Sequence, residues 1–202
     1  MFSKQTIAEY FDDLASANPT PGGGVVTAIT GAQGVALLAM VCNLTLGKQK
    51  FTKVDEEIRL ILVNLETNRR NLLNLAEQDA ASFKAVIVAR RLPKENSIET
   101  EIRAKAIQEA LKASSEVPFA VFKICLKVLL VAERLGKICN PSVISDVEVG
   151  RYLLLACLLG SKVNVVVNLD GITDVGFCKE KRDYILGALQ QIRAASGVNS
   201  FI

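Results

Sequence analysis

Forty residues, from position 52 to about position 91, pass without a proline or a glycine. Apolar residues recur through this stretch at steps of three and four, the spacing of one buried helix face, and they are Ile58, Ile61, Leu62, Leu65, Leu72, Leu75, Ala76, Phe83, Val86 and Ile87. The pattern predicts a single helix roughly 60 Å long, at about 1.5 Å per residue. Such a helix exceeds the diameter of a compact domain, so we expect it to bend or to lie along a partner subunit.

The other apolar patterns are helical too, and they predict helices over residues 4–15, 25–46, 97–135, 144–169 and 174–195. Pro118 is expected to kink or restart its helix, because proline lacks a backbone donor. Residues 163–169 are rich in β-branched side chains, but a lone strand would leave its backbone groups unpaired, so we extend the helix through them. The prediction is one all-α domain, residues 1–202, built as a bundle of long antiparallel helices, some kinked, with no β-sheet.

Local signals predict helix faces and helix ends. Ile7 and Phe11 belong to the predicted buried face of the first helix. Ser145 or Asp146 is expected to cap the 144–169 helix, and Thr173 to cap the last one, because their side-chain oxygens can accept from unpaired N–H groups.

The 25–46 segment is predicted to be a buried core helix. It contains Gly31 and Gly34, and each interior glycine costs about 1 kcal/mol relative to alanine, which indicates that another backbone approaches closely. The segment is apolar enough to raise the question of a membrane span, but polar residues interrupt it and its flanks lack a signal-peptide pattern. We therefore expect no membrane association.

The chain has no histidine, which excludes Ser-His-Asp and Cys-His catalysis and histidine-rich metal sites. Its five cysteines are odd in number and widely spaced, unlike a disulfide framework or a paired metal-binding motif. The net charge of +3 is too small for a nucleic-acid surface. These features predict a cytoplasmic protein that uses no metal and no nucleotide and binds no nucleic acid.

A glycine-rich turn, residues 18–24, leads into the 25–46 helix and contains Gly22, Gly23 and Gly24. Glycines permit a tight turn with outward-facing amides. The helix start offers unpaired N–H groups and the positive end of the dipole, which suit a carboxylate or a phosphate. The turn is either an anion-binding element or a sharp connector between two helices.

A carboxylate interrupts the apolar stripe of the long helix. Positions 72, 75, 76, 79, 83 and 86 follow one another at steps of three and four, and Asp79 is the charged member. Burial raises a carboxyl pKa toward the range that serves proton transfer near neutral pH. Two interpretations remain open: a proton-transfer group, or a structural carboxylate that bonds a lysine or a helix end or lies at the edge of the stripe.

Further polar residues stand in apolar surroundings: Asn43, Ser145, Asp146, Asn164 and Asn168. They are either caps and satisfied buried groups or parts of a polar cavity within or between bundles. Lys48 follows the 25–46 helix. It either complements the helix dipole or pairs with a buried carboxylate or an anionic ligand.

Seven blocks, in order along nearly the whole chain, carry a family resemblance: PTPGGG (19–24), NLTLGK (43–48), DAASF (79–83), RLPK (91–94), EVP (116–118), ISD (144–146) and NVVVNL (164–169). The chain resembles the cyclodeaminase/cyclohydrolase family, which comprises the C-terminal domain of formimidoyltransferase-cyclodeaminase and stand-alone methenyltetrahydrofolate cyclohydrolases. The resemblance implies an all-helical domain that works as a homodimer or a dimer-based larger oligomer, with a tetrahydrofolate derivative bound as substrate near the subunit contact.

The resemblance also implies a reaction. Asp79 aligns with the family's candidate catalytic carboxylate. The reaction is either ring closure of 5-formimidoyltetrahydrofolate with release of ammonia or hydrolysis of 5,10-methenyltetrahydrofolate to the 10-formyl form. Lys48 would orient the pterin or tune Asp79, and Lys94 would meet the glutamate tail. The proposed substrate-binding set is Gly22, Gly23, Gly24, Asn43, Lys94, Ser145, Asp146 and Asn164.

Two departures from the family matter. Val25 follows the glycines where many members carry a serine, which removes a hydroxyl from the turn. The 202 residues include no formimidoyltransferase domain, so we expect either a separate transferase as partner or the cyclohydrolase reaction. The alternative to an enzyme is a non-catalytic helical module that binds folate or serves as a dimeric scaffold.

Overall fold

The computed structural model describes the backbone of residues 1–196. In that range every regular element is helical, which confirms the all-α prediction. The α-helices are α1 (Ile7–Leu14), α2 (Gly23–Thr45), α3 (Asp55–Arg90), α4 (Ser97–Ile138), α5 (Ile144–Leu169) and α6 (Val175–Ser196). Short 3₁₀ helices cover Phe2–Lys4, Gln49–Val54 and Pro141–Val143. The β-branched residues 163–169 form the last two turns of α5, as predicted.

Helices α2 to α5 form a four-helix bundle. Helix α2 packs against α3 and α5, and α4 packs against the same two helices from the opposite corner. Its centre is apolar and mostly aliphatic, with Leu38, Leu65, Phe122 and Leu158 fully buried. Burial of such side chains contributes about 1.5–3 kcal/mol each, so the bundle is stabilised mainly by its apolar interior.

Helices α2 and α5 cross at two glycines. A Cβ added to Gly34 would lie 2.9 Å from the Gly150 carbonyl oxygen, and one added to Gly150 would lie 3.3 Å from the Gly34 carbonyl oxygen. The backbones therefore touch at Gly34, as predicted, whereas the atoms nearest a Cβ at Gly31 belong to the side chains of Cys157, Cys125 and Leu72. Farther along, Thr27 meets Gly160 and Gly23 meets Asn164. Residues later in α5 contact residues earlier in α2, so the two helices are antiparallel.

Pro118 lies inside one continuous helix, α4, so the predicted restart there is wrong. The helix also continues past Gly136 to Ile138 instead of ending at residue 135. Pro118 has no N–H for the carbonyl of Ser114, four residues earlier. The side-chain amide of Asn168 on α5 donates to that carbonyl at 3.1 Å, so the lost helical bond is replaced from a neighbouring helix.

The first helix lies on the surface. Thr6 and Glu9 form its capping box, but Ile7 is 76% exposed and Phe11 58% exposed, so the predicted burial of both is wrong. A two-turn helix presents a narrow face, and α1 contacts the core only through partly buried side chains such as Tyr10. Phe83 in the stripe of α3 is also exposed.

The predicted caps of the later helices are not used. Helix α5 continues directly from the 3₁₀ helix before it and begins without a side-chain cap, so neither Ser145 nor Asp146 caps it. At α6 the capping acceptor is Asp174, whose Oδ1 accepts from the Phe177 N–H at 3.0 Å. Thr173 instead bonds Gln108 through its N–H and its hydroxyl.

The five cysteines are free thiols. Cys125 and Cys157 lie with their Sγ atoms 3.0 Å apart beside Gly31. Burial raises the pKa of the Cys42 thiol to about 12. The Cys42 thiol therefore stays protonated, and the buried cysteines pack as small apolar side chains.

Two helical segments are long and apolar enough to cross a membrane, judged by length and composition alone: Gly23–Thr45 and Pro141–Leu169. In the apolar 18-residue stretch of the first segment, 56% is buried within the chain, whereas in that of the second segment only 33% is buried. Helix α5 also carries an outward stripe, made of Val149, Tyr152, Val163 and Val167, all of them exposed. At about 100° per residue these side chains fall on one face of the helix.

Candidate active site

Asp79 lies against the start of α2. A Cβ added to Gly24 would lie 2.1 Å from Asp79 Oδ1 and 2.3 Å from Oδ2, so the carboxylate occupies the space beside the bare glycine. The backbone N–H of Val25 donates a hydrogen bond to it. Helix α2 has no capping side chain at its own N-cap position. Asp79, which lies on α3, instead accepts from one of the unpaired N–H groups at the start of α2. The carboxylate thus faces the positive end of the α2 dipole.

Burial and the helix start act on Asp79 in opposite directions. Removal from water raises the pKa of the carboxyl, and the Val25 N–H lowers it by a smaller amount. Among the ion pairs formed by the described residues, none includes Asp79, so no lysine or arginine holds it ionised. Of the structural roles considered for Asp79, the contact with a helix end is observed. A half-buried carboxyl with a raised pKa is also suited to exchange a proton near neutral pH.

Helix α5 supplies the second side of the site. Asn164 Oδ1 lies 3.3 Å from the Cβ position of Gly23. Its Nδ2 is 3.5 Å from Thr27 Oγ1, and the Thr27 hydroxyl donates to the Gly24 carbonyl at 2.8 Å. An amide from α5 therefore stands beside the same helix start that Asp79 faces.

Hydroxyl groups complete the cluster behind Asp79. The Ser82 hydroxyl donates to the backbone carbonyl of Asp79 at 2.9 Å. The Ser82 hydroxyl oxygen also lies 3.5 Å from Ser114 Oγ on α4. Asn168 reaches Ser114 from α5. The sequence-based site set omitted Thr27, Ser82, Ser114 and Asn168. Ser82 and Asn168 had a usable signal, because they follow Asp79 and Asn164 by three and four residues on the same helix faces.

The structure brings together part of the predicted site: Gly22, Gly23, Gly24, Asp79 and Asn164. The glycines begin α2, and the two side chains reach them from α3 and α5. All of these groups meet at one end of the bundle.

The remaining predicted residues lie elsewhere in the chain. Asn43 and Lys48 are exposed at the far end of α2, about 30 Å from Asp79 at 1.5 Å per residue. Ser145 and Asp146 begin α5 and lie at that same far end, since α2 and α5 are antiparallel. Lys94 is exposed in the turn between α3 and α4. Within one chain, Lys48 therefore does not meet Asp79.

Two open depressions of about 530 Å³ each lie away from Asp79. One is lined by the N-terminal segment and α1, and the other by Thr100–Gln108 side chains of α4 together with Thr173. Neither of these two depressions is the predicted polar cavity. The described residues include no group of three or more metal-ligating side chains.

Fold and site together define a class: an all-α bundle with a half-buried carboxylate at a glycine-led helix start. Residues 6–186 match the family model described as formiminotransferase-cyclodeaminase. The chain belongs to this family.

Individual relatives agree with the family match. The chain is 40% identical to a methenyltetrahydrofolate cyclohydrolase of Methylorubrum extorquens, and the alignment covers 96% of this chain and 93% of that protein. It is 30% identical to the formimidoyltransferase-cyclodeaminase of Sus scrofa over 92% of this chain but only 34% of that larger protein. In structure it is similar to a formiminotetrahydrofolate cyclodeaminase from Thermotoga maritima, with a TM-score of 0.81, 29% identity and 96% of each chain covered.

Proposed function

We propose that this protein is an enzyme of folate one-carbon metabolism that hydrolyses 5,10-methenyltetrahydrofolate to 10-formyltetrahydrofolate. The observation that carries the proposal is the Asp79 carboxylate held against the start of α2 without a cationic partner among the described residues. The similarity to a cyclohydrolase over nearly the full length of both chains supports it.

In the proposed reaction, water attacks the cationic methenyl carbon and gives up one proton to the Asp79 carboxylate. The bond from that carbon to N5 of the folate then breaks, and N5 takes the proton back from Asp79. The hydroxyl on the carbon loses its proton to solvent and becomes the formyl oxygen. One water is consumed and one proton is released, and a carboxyl with a raised pKa serves both transfers.

The second candidate is cyclodeamination of 5-formimidoyltetrahydrofolate, which the structural similarity to a cyclodeaminase supports. The formimino nitrogen first takes up a proton from solvent, and N10 then attacks the formimino carbon. Asp79 takes the N10 proton and returns it to that nitrogen, which leaves as ammonia, and the cationic methenyl product remains. A separate formimidoyltransferase would then supply the substrate. Both reactions form or break bonds at the same carbon and need no metal or nucleotide.

We further propose a homodimer in which α5 packs against α5 of a second copy. The exposed stripe of Val149, Tyr152, Val163 and Val167 supports this, because monomers rarely leave such a face uncovered. If the paired helices are antiparallel, the far end of one copy, with Lys48 and Ser145, lies beside the Asp79 end of the other.

The dimer would then complete the substrate site. In this arrangement Asn43, Lys48, Ser145 and Asp146 of a second copy face the glycines, Asp79 and Asn164 of the first. Lys94 would meet the glutamate tail of the folate at the α3–α4 turn. The proposal places the enzyme in the cytoplasm, without a membrane or nucleic-acid partner.

The direct test follows the near-ultraviolet absorbance of methenyltetrahydrofolate as each folate is supplied to the protein. We expect loss of the methenyl signal in the hydrolytic direction and a fall in kcat by about a hundredfold or more in Asp79→Asn, since general acid–base groups contribute about 10²–10⁴-fold. Asp183→Asn, an exposed carboxylate on α6, is the matched control and should retain full activity.

Full activity in Asp79→Asn contradicts the mechanism. If folates raise the melting temperature without any turnover, the protein is the non-catalytic binding module. If they have no thermal effect either, it is a scaffold without a folate site.

A further inference from the structure

The Ser114 carbonyl depends on a side chain from another helix. Pro118 cannot donate the hydrogen bond that position 118 of an α-helix would supply to Ser114, and Asn168 Nδ2 donates it instead at 3.1 Å. Ser114 is only 6% exposed, so water is a poor substitute for the amide. An unsatisfied buried carbonyl is costly, and the proline and the asparagine therefore act as a pair.

Ser114 links this pair to the helical turn that carries Asp79. Its hydroxyl oxygen lies 3.5 Å from Asn168 Nδ2 and 3.5 Å from Ser82 Oγ. The Ser82 hydroxyl in turn donates to the backbone carbonyl of Asp79 at 2.9 Å. The contacts run from α5 through α4 to α3.

We propose that Asn168 is a positioning residue for the Asp79 carboxylate. By satisfying the carbonyl that Pro118 leaves free, it ties α4 to α5 at Ser114, and through the Ser114 and Ser82 hydroxyls it holds the turn of α3 that aims Asp79 at Gly24. Its expected effect on turnover rests on the proposed function, whereas its effect on the Asp79 carboxyl does not.

A double-mutant cycle between positions 118 and 168 tests the pairing. Asn168→Ala removes the amide donor, and Pro118→Ala restores a backbone N–H that can donate to the Ser114 carbonyl within α4. We expect Asn168→Ala to lower kcat for methenyltetrahydrofolate by about tenfold to a hundredfold, because small misplacements of catalytic groups cost that much, while KM changes by less than about twofold. Adding Pro118→Ala should recover most of the lost kcat.

The titration of the Asp79 carboxyl, followed by NMR, is the readout that a merely structural role would not move. Its pKa should change in Asn168→Ala and return toward the wild-type value in the double variant. Val128→Ala, a fully buried position of α4, is the stability control, and it should lower the melting temperature without changing kcat or the Asp79 pKa. Ser82→Ala removes the hydroxyl link but leaves the Ser114 carbonyl satisfied, and it should shift both quantities in the same direction as Asn168→Ala.

Unchanged kcat and an unchanged Asp79 pKa in Asn168→Ala overturn the proposal, as does a double variant no better than the single one. If Val128→Ala changes kcat and the Asp79 pKa as much as Asn168→Ala does, the effect is general destabilisation, and the proposal is also overturned. If Asn168→Ala does not fold, Ser82→Ala decides by the same two readouts. If the wild-type protein turns over neither folate, the proposed function fails, and the Asp79 titration alone then supports or overturns the positioning role.

Discussion

The Asp79 carboxylate occupies the space beside the Gly24 Cα. Its Oδ1, Cγ and Oδ2 atoms all lie within 2.3 Å of the position that a Cβ would take. At this single residue the need for glycine comes from a neighbouring side chain. The sequence predicts a tight turn at these glycines, but it does not show which residue would fill the space next to them.

Gly24→Ala should displace the carboxylate, because the atoms that the new methyl meets belong to the end of a flexible side chain. We expect kcat/KM for methenyltetrahydrofolate to fall by about tenfold or more. The free energy of unfolding should change by about 1 kcal/mol or less. Gly187→Ala, where nothing lies within 4 Å, is the control. Wild-type kcat/KM in Gly24→Ala would show that the position of Asp79 does not matter.

The raised pKa of Asp79 predicts a pH-dependent stability. Because burial raises its pKa above the ordinary 3.8, the native protein keeps this proton to higher pH than the unfolded chain does. The free energy of unfolding therefore falls as pH rises from about 3.8 through the native pKa. Asn cannot ionise, so Asp79→Asn removes this loss.

Calorimetry of the wild-type protein and of Asp79→Asn, from about pH 3.8 upward, tests whether ionisation of Asp79 lowers the free energy of unfolding. The melting temperature of Asp79→Asn minus that of the wild type should increase as pH rises from about 3.8 and then become level. A difference that shrinks with rising pH would mean that the α2 start stabilises the ionised carboxylate more than burial disfavours it.

At the scale of elements, the crossing of α2 and α5 sets the geometry of the site. The contact of Gly34 with Gly150 fixes how far along α2 the last turns of α5 reach, and so places Asn164 beside Gly23. Gly34 is visible in the sequence as a small residue inside a helix. Its partner is not visible, because close approach of backbones depends on which helices become neighbours.

Gly34→Ala should destabilise the bundle. The added methyl meets the Gly150 carbonyl at 2.9 Å and Leu153 Cβ at 3.2 Å, and overpacking of this kind costs about 1–3 kcal/mol. The gain in helix propensity is about 1 kcal/mol, and backbone atoms cannot move aside cheaply, so we expect a lower melting temperature. Gly136→Ala in α4, where the nearest atom is 3.5 Å away, should raise it. A higher melting temperature for both variants would contradict the close crossing.

The proposed homodimer accounts both for the exposed apolar stripe on α5 and for the separation of the predicted site residues into two groups at opposite ends of the bundle. The predicted long helix also fits this view. Helix α3 has 36 residues, about 54 Å at 1.5 Å per residue, and a helix of that length is expected either to bend or to lie along a partner subunit.

Light scattering should give a mass of twice 21.8 kDa for the wild-type protein. Val163→Glu places a charge in the stripe and should yield monomers with kcat reduced by about tenfold or more, since the site loses the residues supplied by the second copy. Leu130→Glu, equally exposed on α4, is the control and should remain dimeric. A monomeric wild-type protein with full activity contradicts the shared site.

The helices follow from the sequence alone, because the periodicity of apolar residues is a property of each segment and no second segment offers a strand to pair with residues 163–169. The sequence also determined that a carboxylate would interrupt the buried face of the long helix. Only the tertiary structure decided that Asp79 faces Gly24, that Asn168 serves the carbonyl freed by Pro118, and that Lys48 lies at the opposite end. These relations join residues far apart in the chain, and only the packing of the helices against one another sets them.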